Sequence, residues 1–285
     1  MNGVLAIYKE KGYTSRDIVN ILSKVLGTKK IGHTGTLDPM AIGVLVVCIG
    51  EGLKLVELLT NHDKEYIAKI KLGIETDTLD ITGNVIQRQD NIKYSKGEIE
   101  EVLKNFVGNI KQEVPKYSAI KVNGRKLYEY ARNGEEVELP VRDVCIYDLR
   151  LVSDIVDNEF YIKCRVSKGT YIRSLVRDIG KSLGTVAVMC ELERTKLGNF
   201  GLEDTYTLED INSGMYSMYR LDEVIDLPRV IVDKDMEKRI RNGQVLDKFF
   251  DEDMAMIMNK DNKMLAIYQK YGDGKVKPYR MFNVN

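Results

Sequence analysis

Residues 32–49 read Gly-His-Thr-Gly-Thr-Leu-Asp-Pro-Met-Ala-Ile-Gly-Val-Leu-Val-Val-Cys-Ile, a polar stretch punctuated by glycine that runs straight into six apolar residues. It holds one acid, Asp38, and the proline after it biases that residue away from helical geometry. Gly32, Gly35 and Gly43 permit tight turns and close backbone approach, and Val44 to Ile49 reads as a buried strand behind the loop. The stretch therefore presents one carboxylate from a rigid support. An ordinary surface turn has the same local pattern, so the reading depends on what surrounds it.

Working outward, residues 4–8 read as a strand, and Thr14-Ser15 caps a helix with Ile18, Ile21, Leu22, Val25 and Leu26 at helical spacing before Gly27. A short helix follows near Leu53 to Leu59, and residues 66–72 alternate as a half-buried strand does. Ser95 and Glu98 form a capping box for Ile99, Val102, Leu103 and Phe106, with Gly108 as the stop. Another helix is predicted over Lys126 to Arg132, paired strands over 143–152 and 159–166, and a helix from Ser174 to Leu183. Strands and helices mix without strict alternation, which predicts an α+β fold over a doubly wound parallel one. Beyond Pro228 a short helix ahead of Asn242-Gly243 precedes strand-like pieces at 254–258, 264–269 and 277–282. The expected division is a domain of residues 1–228 followed by a small β-rich domain of residues 229–285.

Composition narrows the chemistry. The chain has 285 residues, 44% of them apolar, enough for a sizeable core, and no apolar run reaches the about eighteen residues of a membrane span. With no signal-like segment at its start, a cytoplasmic protein without membrane contact is expected. Cys48, Cys145, Cys164 and Cys190 stand singly, and the only histidines are His33 and His62, so neither a zinc pattern nor a histidine-rich centre is present in the sequence. Gly180-Lys181-Ser182 resembles the end of a P-loop, but Leu175 stands where that motif needs glycine. Carboxylate chemistry remains. Basic and acidic residues balance at 43 each, yet between Lys163 and Lys196 eight basic residues face three acidic ones, a local stripe fitting either a polyanion or a solvated face.

Four segments occur in order: Gly32 to Pro39; Asp63-Lys64-Glu65-Tyr66 with Leu72-Gly73 and Thr76-Asp77-Thr78; Pro115 to Lys121 with Gly124 to Tyr128; and Ser167-Lys168-Gly169-Thr170-Tyr171-Ile172-Arg173. Together they closely resemble the TruB family of tRNA pseudouridine synthases, from about Gly3 to Phe200, with a weaker match through Asn242-Gly243-Gln244 and Lys277-Pro278-Tyr279-Arg280. The resemblance implies a mixed, largely antiparallel sheet with flanking helices, the pseudouridine synthase fold, and a C-terminal RNA-binding domain of PUA type. It implies isomerisation of one uridine of the tRNA T-arm, nucleotide 55, by a monomer that needs no cofactor, metal, guide RNA or protein partner. Asp38 matches the catalytic aspartate; attack on ribose C1′ and attack on the pyrimidine ring both stay open. Arg173 is implied as its cation, and a cation at a helix start makes physical sense where an anion offsets the helix dipole. Tyr66 matches the tyrosine that stacks on the flipped base and takes part in proton transfer; Tyr171 and Leu192 line the uracil pocket, and His33, Lys64 and Lys54 are expected against the RNA. Three other readings share some of these residues. They are a non-catalytic RNA-binding or RNA-folding protein, a guide-dependent synthase, and a metal hydrolase using His33 and Asp38, for which no ligand set is visible.

Overall fold

The computed structural model describes residues 1–283. Its centre is a ten-stranded sheet whose main path runs Thr205–Tyr206, Gly3–Lys9, Ile42–Ile49, Ala187–Leu197, Lys64–Leu72, Glu159–Val166, Val141–Leu151, Gly108–Glu113. Two of these neighbour pairs are parallel, Gly3–Lys9 with Thr205–Tyr206 and Ile42–Ile49 with Ala187–Leu197, and the others are antiparallel. This is the α+β, largely antiparallel sheet expected above.

Strand chemistry follows what covers each face. In Ile42–Ile49, Val44, Val46 and Cys48 enter one apolar cluster while Leu45, Val47 and Ile49 enter another, so the continuous apolar run is a strand buried on both sides. Lys64–Leu72 alternates because only one face is covered. Ala68, Ile70 and Leu72 join a cluster with Leu175, Val176 and Ile179 of helix Ile172–Ser182, while Lys69 and Lys71 emerge on the other face to pair with Glu159. Helix Ser15–Val25 has the expected Thr14 cap, closed as a box by Asp17, and buries Ile18, Val19 and Leu22; Val25 lies on its open side.

Two core strands were not legible as strands. Gly108–Glu113 follows the expected stop at Gly108 directly, and Ala187–Leu197 crosses the middle of the sheet. Glu191, Glu193, Arg194 and Lys196 break the apolar pattern of the latter, and bulges interrupt its register twice. Its contact with Ile42–Ile49 depends on Gly43, which has φ of +100° and would place a Cβ 2.3 Å from the Arg194 carbonyl oxygen. Gly43→Ala must both strain the backbone and push the strands apart, so a loss of about 2 kcal/mol or more is expected in urea unfolding. An unchanged midpoint would contradict this account.

A second, five-stranded sheet is ordered Arg229–Ile231, Met254–Met258, Met264–Lys270, Lys275–Met281, Leu246–Asp247, with helix Lys234–Arg241 packed beside it. It does not stand apart. Met256, Met258, Met264, Ile267 and Phe282 share one buried cluster with Val4, Ala6, Val46 and Leu55 of the first sheet's region. Residues 284 and 285, the end of the expected second domain, lie outside the described residues.

Candidate active site

Asp38 is presented by a loop fastened on both sides of it. Before it, the Ser15 hydroxyl accepts from the Leu37 amide at 2.9 Å and donates to the Leu37 carbonyl at 3.3 Å. After it, the Pro39 carbonyl accepts from the Gly12 amide at 2.8 Å and from Lys9 Nζ at 3.4 Å. Lys9 is wholly buried, its ammonium also donating to the Glu10 and Tyr13 carbonyls, and burial pushes its pKa down to about 8. The loop is therefore rigid at the two residues flanking the acid.

Arg173 meets Asp38 along one edge of its guanidinium, Nε lying 2.9 Å from Oδ2 and Nη2 donating to Oδ1 at 3.3 Å. The helix begins at Ile172, two residues earlier than the periodicity predicts, so Arg173 falls in its first turn, where an isolated cation is disfavoured. Two anions compensate. The second, Asp80, lies 3.8 Å from Nη1 and accepts hydrogen bonds from the hydroxyls of Thr78 and Thr82. The remaining donors reach the carbonyls of Thr78 at 2.9 Å and Tyr117 at 3.0 Å. Arg173 is thereby held by three segments distant in sequence, at Asp38, Thr78–Asp80 and Tyr117, which fits the planar fork of arginine and not the point charge of lysine.

Tyr66 and Leu192 are buried in the apolar cluster that the loop of Asp38 and the helix of Arg173 also enter, through Leu37 and Ile172. Burial raises the Tyr66 phenol's pKa, and Arg194 beside it opposes the rise. Tyr171 precedes the helix as its N-terminal boundary residue, its backbone held at both N–H (2.7 Å) and C=O (3.1 Å) by the Gln112 side-chain amide. Burial raises its phenol as well. His33 lies on the strand Ile31–His33, with Nδ1 buried and without a partner among the described residues; burial, then Arg16 and Arg194, lower its pKa.

The two lysines are used differently from the expectation of phosphate contacts. Lys64 turns inward, its ammonium donating to the carbonyls of Thr60 and His62, both at 2.6 Å. Lys54 pairs with Glu51 and donates to the Met281 carbonyl at 2.7 Å, linking the first sheet's region to the second sheet. Burial, then nearby Arg194, push Lys64 from 10.5 down to about 8. Between these values the unfolded chain binds more protons than the folded one, so stability rises with pH there, and the cost of the buried charge is fully present below about pH 8. Relative to a Lys64→Met variant, the unmodified chain is expected to gain stability between pH 8 and 10.5 in urea unfolding; a constant difference would contradict the assignment.

Asp80, Gln112, Lys9, Ser15 and Arg194 were missed as parts of the site. None had a usable signal in the sequence; Arg194 shares a strand face with Leu192, but that strand was itself not legible. Cys48, Cys164 and Cys190 offer no competing chemistry, since burial raises the first two thiols to about 12 and the third to about 11. Among the described residues no group of three or more His, Cys, Asp or Glu is placed to hold a metal, and no helix is long and apolar enough to cross a membrane. A hollow of about 460 Å³ on the other side of the sheet is lined by Lys69, Lys71 and Tyr161, with both lysines already paired to Glu159. What the site offers is a fastened carboxylate, a cation that orients it, and an aromatic and aliphatic wall.

Comparison with known proteins points the same way. Residues 23–172 match the family model for the TruB family pseudouridylate synthase N-terminal domain, and residues 173–237 that for the tRNA pseudouridylate synthase B C-terminal domain. Proteins named tRNA pseudouridine synthase B from Caldanaerobacter subterraneus and Halalkalibacterium halodurans are 41% and 42% identical, covering 99% of this chain and 99% and 97% of theirs. One from Staphylococcus aureus is 43% identical, with 99% of each chain covered. Among solved structures, a chain of an H/ACA RNP bound to a substrate RNA superposes with a TM-score of 0.74 at 23% identity, over 99% of this chain and 85% of that one. A chain of a Cbf5-Nop10-Gar1 complex gives 0.73 at 25% identity, over 99% and 84%.

Proposed function

The chain belongs to the TruB family of pseudouridylate synthases, an isomerase that converts uridine in tRNA to pseudouridine, and we propose that its target is the T-arm uridine at nucleotide 55. The reading is supported above all by the Asp38–Arg173 pair, whose loop and helix share a buried cluster with Tyr66 and Leu192. Asp38 is the nucleophile on a flipped-out nucleotide and attacks ribose C1′. The N1–C1′ bond breaks, the detached uracil turns against Tyr171 and Leu192, and C5 forms the new bond to C1′ as Asp38 departs. C5 then loses its proton and N1 gains one, the neutral Tyr66 phenol relaying it by accepting on its oxygen through water as it gives up its own, so atoms and charge balance. Stacking of the extruded base on Tyr66 offsets part of the unstacking cost, about 1–3 kcal/mol per base.

The proposed division of labour is catalysis by residues 1–228 and RNA contact by a PUA-like domain of residues 229–285, in a cytoplasmic monomer acting on bare tRNA. His33 lies against the RNA at the point where the base leaves its stack. Lys54 and Lys64 carry weaker support as phosphate contacts, given the carbonyls their ammonium groups already serve.

The test uses a T-arm stem-loop with uridine tritiated at C5, the purified protein alone, and a chelator present. Tritium release in amount equal to the one target uridine, absent when that uridine is replaced by cytidine, is the expected result. Binding without release would return the chain to the non-catalytic or guide-dependent readings, and loss of release with chelator would revive a metal-dependent one.

A further inference from the structure

Arg194 heads the fully buried side chains by volume, at 1% exposure. Its hydrogen bonds go to main-chain carbonyls, Nε to Val44 at 2.7 Å and Nη2 to Gly35 at 3.2 Å, and no carboxylate among the described residues pairs with it. Lys9, Lys64 and His33 each have their pKa lowered in part by its presence. A buried guanidinium with no carboxylate paired to it is costly, and an apolar side chain of similar volume would pack there at less expense to stability. Its retention calls for something the guanidinium does.

Geometry supplies it. Gly35 lies three residues before Asp38 and Val44 six after, so one planar fork joins the two ends of the loop that carries the acid. The main chain of Arg194 is fixed in turn, opposite Tyr66 in the antiparallel register and against Gly43 in the parallel one. One residue thus ties together the Asp38 loop, the Tyr66 strand and the strand of Leu192. We propose that Arg194 is a positioning residue for the isomerisation, closing the Asp38 loop and setting the distance between Asp38 and Tyr66 without touching the RNA. Its place beside the Tyr66 phenol, where it opposes the effect of burial, adds to that role. The inference rests on Asp38 and Tyr66 being the reacting groups, as read above.

The experiment compares Arg194→Lys, which keeps the charge but not the fork, and Arg194→Met, which keeps the volume alone, in the full chain. Single-turnover rate at saturating enzyme is measured on the T-arm stem-loop, and affinity on the product stem-loop, which does not react; thermal unfolding reports the fold. A fall in rate of about 10²-fold in both, with affinity within about threefold of the unmodified chain, is expected, since misplacement by about 1 Å costs that much. If the methionine variant fails to fold, the lysine variant decides alone. A rate within threefold of the unmodified chain overturns the inference, as does a loss matched by an equal loss of affinity or of folded protein. Asp38→Asn is run beside them: if it is inactive while Arg194→Lys turns over normally, only this inference fails, whereas an active Asp38→Asn overturns the reading beneath it.

Discussion

Asp38→Asn is expected to bring tritium release from the T-arm stem-loop down to background, a loss of roughly 10⁴-fold or more, as when a group that forms the covalent intermediate is removed. Asparagine has nearly the same shape, and the loop's fastenings involve Ser15, Lys9 and Gly12 and not the carboxylate itself, so the fold should survive. Arg173 would keep Asp80 and two carbonyls as partners and stay in place. RNA affinity should therefore stay within a few-fold while turnover vanishes. Residual activity above about a hundredth of the starting rate would make Asp38 an orienting group instead, and a parallel loss of affinity would mean that the substitution disturbs the RNA surface.

Removing the arginine should act on both activity and stability. Arg173→Met leaves Asp38 and Asp80 near one another without their shared cation and strands the carbonyls of Thr78 and Tyr117. Breaking a buried pair by deleting one partner typically costs about 3–5 kcal/mol, so a clearly lower urea midpoint is expected along with the loss of turnover. Asp38 is about one-third exposed, so solvent screens part of this and the lower end of that range applies. Arg173→Lys is the sharper variant. A lysine keeps the charge but cannot reach both oxygens of Asp38 and three further acceptors at once, so turnover should fall by about 10²-fold with a smaller effect on stability. Near-normal turnover in Arg173→Lys would show that charge alone suffices and that the fork geometry is incidental.

These expectations differ in how far sequence alone could have reached them. The helix caps at Thr14 and Ser95, the doubly buried strand behind Asp38 and the half-buried strand of Tyr66 were legible because each is set by local pattern, a capping residue or a period of apolar positions. Arg173 announced a missing anion because a cation in a first helical turn is locally unfavourable. Ala187–Leu197 was not legible, since its outward charges and two bulges hide the period of two, and its place between Ile42–Ile49 and Lys64–Leu72 pairs residues more than a hundred positions apart.

By itself the sequence determined the family and the α+β class and singled out Asp38, because residue types and spacing within contiguous segments carry that information, whereas Arg173 as its partner, 135 positions away, was implied by the family resemblance. Only the tertiary structure decided that Asp80 shares Arg173, that Gln112 holds Tyr171, that Lys64 turns inward and that Arg194 joins both ends of the acid's loop. The physical reason is that each of these is a hydrogen bond or ion pair whose partner is chosen by how strands and loops pack. A buried polar group must find some partner, but nothing in its own neighbourhood along the chain says which one.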